Sequence, residues 1–253
     1  MDKIINWLSK EQLKAIYTSS YWNDIEVEKK KEWWIADGNY KKCLDYLDSS
    51  KLLWEYQQSE QFIKGFSEEP IKIVDLAAGI GWTSVLLSKL SNVKEVHAVE
   101  VSKHRLGPLF EHSVKMLKGE GNKISRYLGS FYDLKFDENS IDVIYLSQAF
   151  HHAEKPLKLL IECDRVLKAN GRIILVGEHV IGIKKIIRRF LSILIKQRKI
   201  ATNFYEMFPP NNELGDHYYR QSDYYFMFES MGYSLKHKHL ESENMIYIAD
   251  KNA

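Results

Sequence analysis

The stretch Ile73-Val74-Asp75-Leu76-Ala77-Ala78-Gly79-Ile80-Gly81-Trp82-Thr83 predicts a strand, a loop of small residues and the start of a helix. The apolar residues are typical of a buried strand, and Asp75 places a carboxylate at its end. Side chains at Ala77, Gly79 and Gly81 are too small to keep a bulky polar ligand away from the backbone. We therefore expect a ligand to lie against this loop, at the carboxyl end of the strand.

From Ile71 onward, short apolar runs alternate with stretches of helical periodicity, which is typical of a mostly parallel sheet with helices on both faces. The C-terminal part differs, because a helix, the turn at Gly232 and two closely spaced strands predict an antiparallel hairpin. The predicted strands are 71–76, 93–99, 124–128, 141–146, 172–177, 235–240 and 245–249, and the predicted helices are 82–90, 105–117, 156–167 and 222–231.

Residues 1–68 have a different character and predict an N-terminal helical extension or cap. Apolar residues recur there at helical spacing over 10–17 and 40–66, and aromatic residues are dense. We expect residues 69–253 to form the main domain, with residues 182–220 as a helical insertion. Both added segments would flank the carboxyl edge of the sheet and define a second pocket. Four aromatic residues could line it together, although core packing is their commoner fate: Tyr17, Trp22, Trp33 and Trp34.

The composition is that of a globular protein with little net charge. The formal net charge is +2, which gives no support for the large basic field of a nucleic-acid-binding protein. Cys43 and Cys163 match no disulfide framework or zinc spacing, so we expect two buried thiols in a reducing compartment. The N-terminal residues lack the pattern of a signal peptide, and no stretch is long and apolar enough to cross a bilayer. The sequence predicts a cytoplasmic protein and carries no signal for an oligomeric state.

Polar and aromatic residues follow successive strands, at the edge where an open parallel sheet binds its ligands. Glu100 ends the second predicted strand, where a carboxylate can accept hydrogen bonds from both hydroxyls of a ribose. Ser130 and Phe131 follow the third strand, and Ser147 follows the fourth, a few residues before the pair His151-His152. These positions predict one site, built at the carboxyl ends of four strands.

With these motifs, the chain from Ile71 to Glu178 resembles the class I S-adenosylmethionine (SAM) dependent methyltransferases, of the small-molecule type that includes the quinone-modifying enzymes. The resemblance implies SAM as the cofactor and a Rossmann-like, doubly wound α/β fold. The sheet would have seven strands in the order 3-2-1-4-5-7-6, with strand 7 antiparallel. Besides the glycine loop, the likeness rests on the motifs Asn139-Ser140-Ile141-Asp142, His151-His152, Arg165-Val166-Leu167-Lys168 and Gly215-Asp216-His217-Tyr218-Tyr219.

The resemblance also implies which residues contact SAM, with two departures from the family pattern. The family commonly has glycine in place of Ala77, and an acid in place of Ser130 to receive the adenine amino group. A serine hydroxyl bonds an amine more weakly than a carboxylate does, and Asp133 is an alternative partner. The implied cofactor-binding residues are Asp75, Ala77, Gly79, Gly81, Trp82, Glu100, Val101, Ser130, Phe131 and Ser147.

A nicotinamide (NAD) dependent oxidoreductase is the rival enzyme class. Its fingerprint Gly-x-Gly-x-x-Gly lets a pyrophosphate meet the helix N-terminus. Here the third glycine is replaced by Ser84, and bulky Trp82 follows Gly81 directly. Asp75 would be poorly placed near a pyrophosphate, whereas SAM carries an ammonium and a sulfonium, so charge favours SAM. A non-catalytic, SAM-binding scaffold of the same fold is a further alternative, which the change at Ser130 keeps open.

His151 and His152 are the first candidates for a general base, because the pKa of histidine lies near neutral pH. Adjacent loop residues usually point in different directions, so we expect one of them to face the site. For each taken singly, packing or capping a loop is about as common a role. His179, next to Glu178, is the second candidate. The segment Asp216-His217-Tyr218 is a third, although a polar surface loop is the commoner interpretation. No metal-ligand spacing connects these histidines, so we expect no metal.

The function predicted from these observations is SAM-dependent methyl transfer to a small-molecule or carrier-linked acceptor. The histidines and a basic helix favour O-methylation, for example of a sugar or a phosphorylated metabolite. That helix, predicted at 183–199, has apolar residues on one face and Lys and Arg around the rest. The interpretation that we rank first is a helix that packs on the domain and exposes its basic face to solvent. The alternatives are a lid for an acidic acceptor and a peripheral membrane contact.

Overall fold

The computed structural model describes residues 3–18, 24–210 and 215–252. The N-terminal part begins with a two-residue strand, and helices follow it. The sequence predicts one helix over 40–66, but the structure has two. Lys51 between them adopts a left-handed conformation (φ 63°) that an α-helix does not include. The elements are β1 (Ile5–Asn6), α1 (Lys10–Thr18), α2 (Ile25–Glu28), α3 (Tyr40–Ser49) and α4 (Leu52–Lys64).

The strands then follow in the predicted order, and the short helix Phe204–Met207 is an addition to the predicted helices. The strands are β2 (Ile71–Leu76), β3 (Val93–Glu100), β4 (Ile124–Leu128), β5 (Ile141–Ser147), β6 (Leu167–His179), β7 (Tyr233–His239) and β8 (Asn244–Lys251). The helices are α5 (Trp82–Ser88), α6 (Phe110–Leu117, after a π-helical turn at Arg105–Leu109), α7 (Pro156–Val166), α8 (Ile183–Gln197), α9 (Phe204–Met207) and α10 (Gln221–Ser230). Short 3-10 turns cover Gly121–Lys123 and Phe150–His152.

The described strands form one sheet in the order β1-β4-β3-β2-β5-β6-β8-β7. Neighbours from β1 to β6 are parallel, and β8 runs antiparallel to both β6 and β7. If β1 is left out and β2–β8 are counted as strands 1–7, the order is 3-2-1-4-5-7-6, as predicted. The antiparallel strand is β8, which is strand 7 in that count, so the predicted fold is confirmed. The eighth strand is an addition: Ile5 and Asn6 pair with Tyr127 and Leu128 at the edge of the sheet. Two residues are too few to leave a periodic signal in the sequence.

Strand β6 begins at Leu167, earlier than the predicted start at Arg172. Helix α7 ends at Val166, and Leu167 is already extended (φ −71°, ψ 138°) and pairs with Ile141. The register then shifts before Val143 pairs with Arg172. The residues between the two pairs therefore form an irregularity in the ladder, which period-two reasoning cannot locate.

Apolar side chains pack on both faces of the sheet, as expected of parallel strands covered by helices. A third cluster joins the N-terminal helices to the main domain, where Ile35, Cys43 and Leu47 pack with Ile80 and Leu109. Because Ile80 belongs to the loop after β2, the N-terminal helices lie beside the carboxyl end of that strand. No helix among the described residues has both the length and the apolar character needed to span a membrane.

Candidate active site

The loop after β2 has a backbone conformation that leaves space for a ligand. Ala77, Gly79 and Gly81 have φ values of 55°, 56° and 79°, in the left-handed region that favours glycine. A Cβ atom at Gly81 would lie 2.1 Å from the ring of Phe110, whereas a Cβ atom at Gly79 would meet nothing within 4 Å. Gly79 lines the larger of two cavities described below. The open space beside it is therefore available to a ligand.

Asp75 is buried behind this loop, and its carboxylate faces the start of α5. Oδ2 accepts hydrogen bonds from Thr83 Oγ1 (2.7 Å) and Ser84 Oγ (2.5 Å). Burial raises the pKa of Asp75 to about 6, although these two hydrogen bonds oppose the shift. Asp75 lines neither cavity. The structure thus separates it from the other predicted cofactor residues and gives it a position from which it holds the loop and the helix together.

Glu100 ends β3 and forms part of the cavity wall. Its Oε2 accepts a hydrogen bond from Gly79 N (2.8 Å), and its Oε1 accepts one from Ser102 N (2.8 Å). These two bonds fix the orientation of the carboxylate, which lines the smaller cavity. A carboxylate has about four lone-pair sites, so Glu100 retains the capacity to accept hydrogen bonds from a ligand.

Two adjoining cavities open at the carboxyl ends of the strands. Their volumes are about 820 Å³ and about 360 Å³. The residues that line both of them are Ala77, Arg105, Gln148 and His152. Ligand-binding clefts typically have volumes of roughly 300–1,000 Å³, so the two cavities together provide room for a cofactor and for a second molecule next to it.

The smaller cavity brings together residues predicted to contact a nucleoside. Glu100, Val101, Ser130 and Phe131 all line it. Ser130 Oγ accepts a hydrogen bond from the backbone N–H of Tyr132 (3.2 Å), so its hydroxyl proton remains to be donated elsewhere. Asp133, the alternative partner for an adenine amine, does not line the cavity. Its carboxylate pairs with Lys135 Nζ.

The larger cavity lies between the main domain and the N-terminal segment. Gly79, Trp82 and Ser147 line it from the sheet side, and Glu28 and Trp33 line it from the N-terminal side. Of the aromatic residues predicted to line a second pocket, Trp33 is therefore in place. Trp34 instead lies near His104, and Trp22 and the side chain of Tyr17 fall outside the described residues. No described residue of the insertion 182–220 lines either cavity.

A buried carboxylate of the N-terminal segment has no counterpart in the sequence predictions. Glu28 accepts hydrogen bonds from Arg105 Nε (2.8 Å) and contacts His104 Nε2. Burial alone would raise the pKa of Glu28, but the bonds from His104 and Arg105 outweigh it and lower the pKa. The Arg105 guanidinium also lies 5.1 Å from the ring centroid of Trp33. These contacts attach α2 to the turn after β3. Their partners are too distant along the chain for any local pattern to reveal them.

His151 is buried and bonded to Glu178. Its Nδ1 lies 3.0 Å from Glu178 Oε2, which also accepts a hydrogen bond from Tyr224 (3.0 Å). Glu178 Oε1 accepts hydrogen bonds from the backbone N–H groups of Ala149 and Phe150. Burial disfavours both charges, but the mutual attraction outweighs it, so the pKa of His151 is raised and the pKa of Glu178 is lowered. His151 lines neither cavity.

His152 is the member of the predicted histidine set that lines both cavities. Its Nδ1 lies 3.2 Å from Asp216 Oδ1. Burial, followed by the charge of His151, lowers the pKa of His152 to about 4, so its imidazole is neutral at neutral pH. His179 lies beside His151, with ring centroids 4.6 Å apart and ring planes tilted by 51°, and it lines neither cavity. Burial also lowers the pKa of His179.

These residues fit SAM by the chemistry of their donor set. The carboxylate of Glu100 suits a ribose diol, and the ring of Phe131 offers an apolar surface to an adenine. The backbone at Gly79 borders open space on the side where a Cβ atom would project, so a ligand can approach it closely there. A dinucleotide fits less well, because Trp82 follows the loop where a pyrophosphate would meet the helix.

Comparisons with known proteins agree with this fold. Residues 74–175 match the family model of the methyltransferase domain. An uncharacterized methyltransferase of Schizosaccharomyces pombe is 33% identical over 103 residues, which are 40% of this chain and 37% of that protein. The demethylmenaquinone methyltransferase of Thermotoga maritima is 32% identical over 106 residues, 42% of this chain and 43% of that protein. A solved SAM-dependent methyltransferase from Aquifex aeolicus has a TM-score of 0.57 at 18% identity, covering 84% of this chain and 98% of that one.

The family match covers the central part of the chain, and the fold agrees with it. Residues 74–175 match the methyltransferase domain, the fold is that of solved SAM-dependent methyltransferases, and the cofactor that these matches imply is SAM. The match favours SAM over a nicotinamide dinucleotide, but the charge argument at Asp75 does not account for this, because its carboxylate is buried against Thr83 and Ser84 and lines neither cavity. The match to the two curated relatives spans 37% and 43% of their lengths.

Proposed function

We propose that the protein is an active methyltransferase that transfers the methyl group of SAM to a hydroxyl of a small-molecule or carrier-linked acceptor. The observation that carries this proposal is the pair of adjoining cavities, in which Glu100 and His152 lie on the walls. The smaller cavity would hold the nucleoside of SAM, with Glu100 on the ribose and Ser130, Phe131 and Val101 around the adenine.

The methionine part of the cofactor would lie along the glycine loop, near Gly79 and Trp82. The acceptor would occupy the remainder of the larger cavity, and residues 1–68 would act as its cap, because Glu28 and Trp33 line that side. Asp75 would act as a positioning residue through Thr83 and Ser84. SAM supplies an electrophilic methyl carbon when bound. The chain aligns the acceptor with it and excludes water.

His152 would be the residue through which the histidine cluster helps to remove the proton of the hydroxyl. It is neutral at neutral pH and lines both cavities, while His151 and Glu178 hold the segment behind it. This favours a hydroxyl acceptor, such as a sugar or a phosphorylated metabolite, over an amine that solvent can deprotonate. The buried free thiols Cys43 and Cys163 suit a cytoplasmic location.

Calorimetry and a turnover assay test this function. We expect SAM and S-adenosylhomocysteine to bind and NAD not to bind. In a panel of hydroxyl and amine acceptors, we expect the hydroxyl compounds to be methylated. Replacing His152 by alanine should lower kcat at least ~100-fold, within the range for loss of proton-transfer assistance, and leave SAM affinity within about twofold. His239→Ala, on the surface strand β7, is the matched control. Binding of NAD in place of SAM, or SAM binding without turnover of any acceptor, would remove the proposal.

We further propose that helix α8 makes a peripheral contact with an anionic membrane surface. Ile193 is buried, but Ile183, Ile187, Leu191 and Ile195 recur at four-residue spacing and are 68%, 52%, 46% and 74% exposed. The apolar arc is therefore wider than the part that the domain covers. Basic residues flank it and complement anionic headgroups: Lys184, Lys185, Arg188, Arg189 and Lys196.

Vesicle sedimentation tests this contact. The protein should sediment with vesicles containing anionic lipid and much less with neutral vesicles. High salt should weaken the binding, because the Debye length falls to about 3 Å at 1 M. The double variant Ile187→Gln/Leu191→Gln should reduce the bound fraction severalfold. Phe226→Gln, at a more exposed apolar residue on α10 (71%), should not. Equal binding by both variants, or no preference for anionic lipid, would contradict this proposal.

A further inference from the structure

Three side chains from two distant parts of the chain converge beside the larger cavity. His151 and His152 follow β5, and Asp216 lies in the segment before α10. Each offers one ligand atom, and these atoms all lie within 4.8 Å of one another. Asp216 Oδ1 is 3.2 Å from His152 Nδ1 and 3.9 Å from His151 Nε2. Among the described residues, no other group of histidine, cysteine or acidic side chains meets this condition.

The distances suit a shared metal ion better than direct hydrogen bonds alone. Divalent zinc binds histidine nitrogen and carboxylate oxygen at about 2.0–2.2 Å, so two ligands at a tetrahedral angle lie roughly 3.4 Å apart. The separation of 3.2 Å is close to that value, and 3.9 Å requires a small movement of one side chain. A 3.9 Å separation is too long for a hydrogen bond between His151 and Asp216.

His151 makes the hydrogen bond that usually orients a histidine ligand of a metal ion. Histidine ligands almost always donate the second ring N–H to a carboxylate or a carbonyl, which fixes the tautomer and the ring. His151 Nδ1 is 3.0 Å from Glu178 Oε2, and Glu178 is held in turn by Tyr224 and by two backbone N–H groups. With the proton on Nδ1, the lone pair of His151 lies on Nε2, the nitrogen nearer to Asp216.

Backbone contacts fix the third ligand relative to the first two. The N–H of His217 donates a hydrogen bond to the carbonyl oxygen of His151 (2.8 Å). This bond joins the segment that carries Asp216 to the turn that carries both histidines. Sequence reasoning expects no metal because His151 and His152 are adjacent and the acid is remote. The fold supplies the spacing that the sequence lacks.

We propose that His151, His152 and Asp216 form a binding site for a divalent first-row transition metal, with Zn²⁺ as the reference ion. Two histidines and one carboxylate leave coordination positions for water or a substrate oxygen. Because His152 lines both cavities, one such position faces the acceptor region. In a role that rests on the proposed function, the ion would bind the acceptor hydroxyl and lower its pKa, so that its proton passes to solvent water. His152 would then act as a ligand.

Metal titration without SAM or acceptor tests the site independently of the enzyme's activity. Protein without a histidine tag is stripped with a chelator and titrated with Co²⁺, followed by its visible absorption and by competition with Zn²⁺. We expect one equivalent to bind. His152→Ala and Asp216→Asn should each weaken Co²⁺ affinity at least ~100-fold, and Glu178→Gln should weaken it about 10–100-fold.

The controls separate this site from weak surface binding and from misfolding. His237→Ala removes one of two neighbouring histidines on β7, whose rings lie 5.3 Å apart, and it should leave the Co²⁺ affinity unchanged. Circular dichroism of each variant confirms folding, and SAM calorimetry on the stripped protein reports the cofactor site separately. Wild-type protein that binds no stoichiometric Co²⁺, or that binds it no better than Asp216→Asn, would show an ionic network in place of a metal site.

Discussion

Replacing Gly81 by alanine is expected to lower the free energy of unfolding by about 3 kcal/mol, the sum of left-handed strain and overpacking. The added Cβ would lie 2.1 Å from the ring of Phe110 in α6, a fully buried side chain with little room to move. The φ of 79° adds a backbone penalty for any residue with a Cβ. Urea denaturation of the wild type and of Gly81→Ala measures the difference in unfolding free energy, provided that the two m-values are equal.

Gly79→Ala is the matched control, because the two glycines share a loop and a positive φ. Nothing lies within 4 Å of a Cβ at Gly79, so the loss in stability should be limited to about 1–2 kcal/mol of backbone strain. The methyl group would instead occupy ligand space and weaken SAM binding. If Gly81→Ala were no less stable than Gly79→Ala, the close packing of the loop against α6 would be wrong.

Replacing Glu100 by alanine is expected to reduce SAM affinity at least ~100-fold, because hydrogen bonds to a charged group contribute roughly 1.5–3 kcal/mol each. The variant loses the acceptor for the ribose hydroxyls. It also leaves the N–H groups of Gly79 and Ser102 without the oxygens that they now contact. The loop that holds the cofactor would therefore lose its order as well. Calorimetry with SAM and with S-adenosylhomocysteine measures the effect.

Glu95→Ala is the control for Glu100→Ala, because Glu95 lies on the same strand, β3. Its carboxylate makes surface ion pairs with Lys72 and Lys94, and exposed pairs contribute little. We expect its SAM affinity to match the wild type. Unchanged affinity in Glu100→Ala would end the assignment of Glu100 to the ribose.

The sequence was sufficient for the sheet order and for the group of residues around the smaller cavity. Glu100, Ser130 and Phe131 each follow a strand directly, and parallel strands bring their carboxyl ends to one edge whatever the details of packing. The direction in which a side chain points is less accessible. Asp75 has the same place in the pattern, yet its carboxylate faces Thr83 and Ser84 because hydroxyls at the start of α5 lie within reach.

Contacts between distant segments could not be predicted. Glu28 meets Arg105, and Asp216 meets His152, only because the N-terminal helices and the segment before α10 fold back onto the carboxyl edge of the sheet. No periodicity or local spacing records such a meeting, since it depends on how elements pack after they form. Strand β1 was missed for a related reason, because its pairing with β4 decides its conformation.

The position of β1 at the sheet edge has a consequence for the order of assembly. Ile5 and Asn6 leave the ribosome long before Tyr127 and Leu128, with which they pair. During that interval the early segment has no strand to join, and Tyr127 and Leu128 of β4, once made, lack their partners until the segment docks. Closing this contact requires a long loop, which is slow. We therefore expect β1 to dock late in folding, and until then the unpaired end of β4 offers a place where another copy of the chain can add a strand.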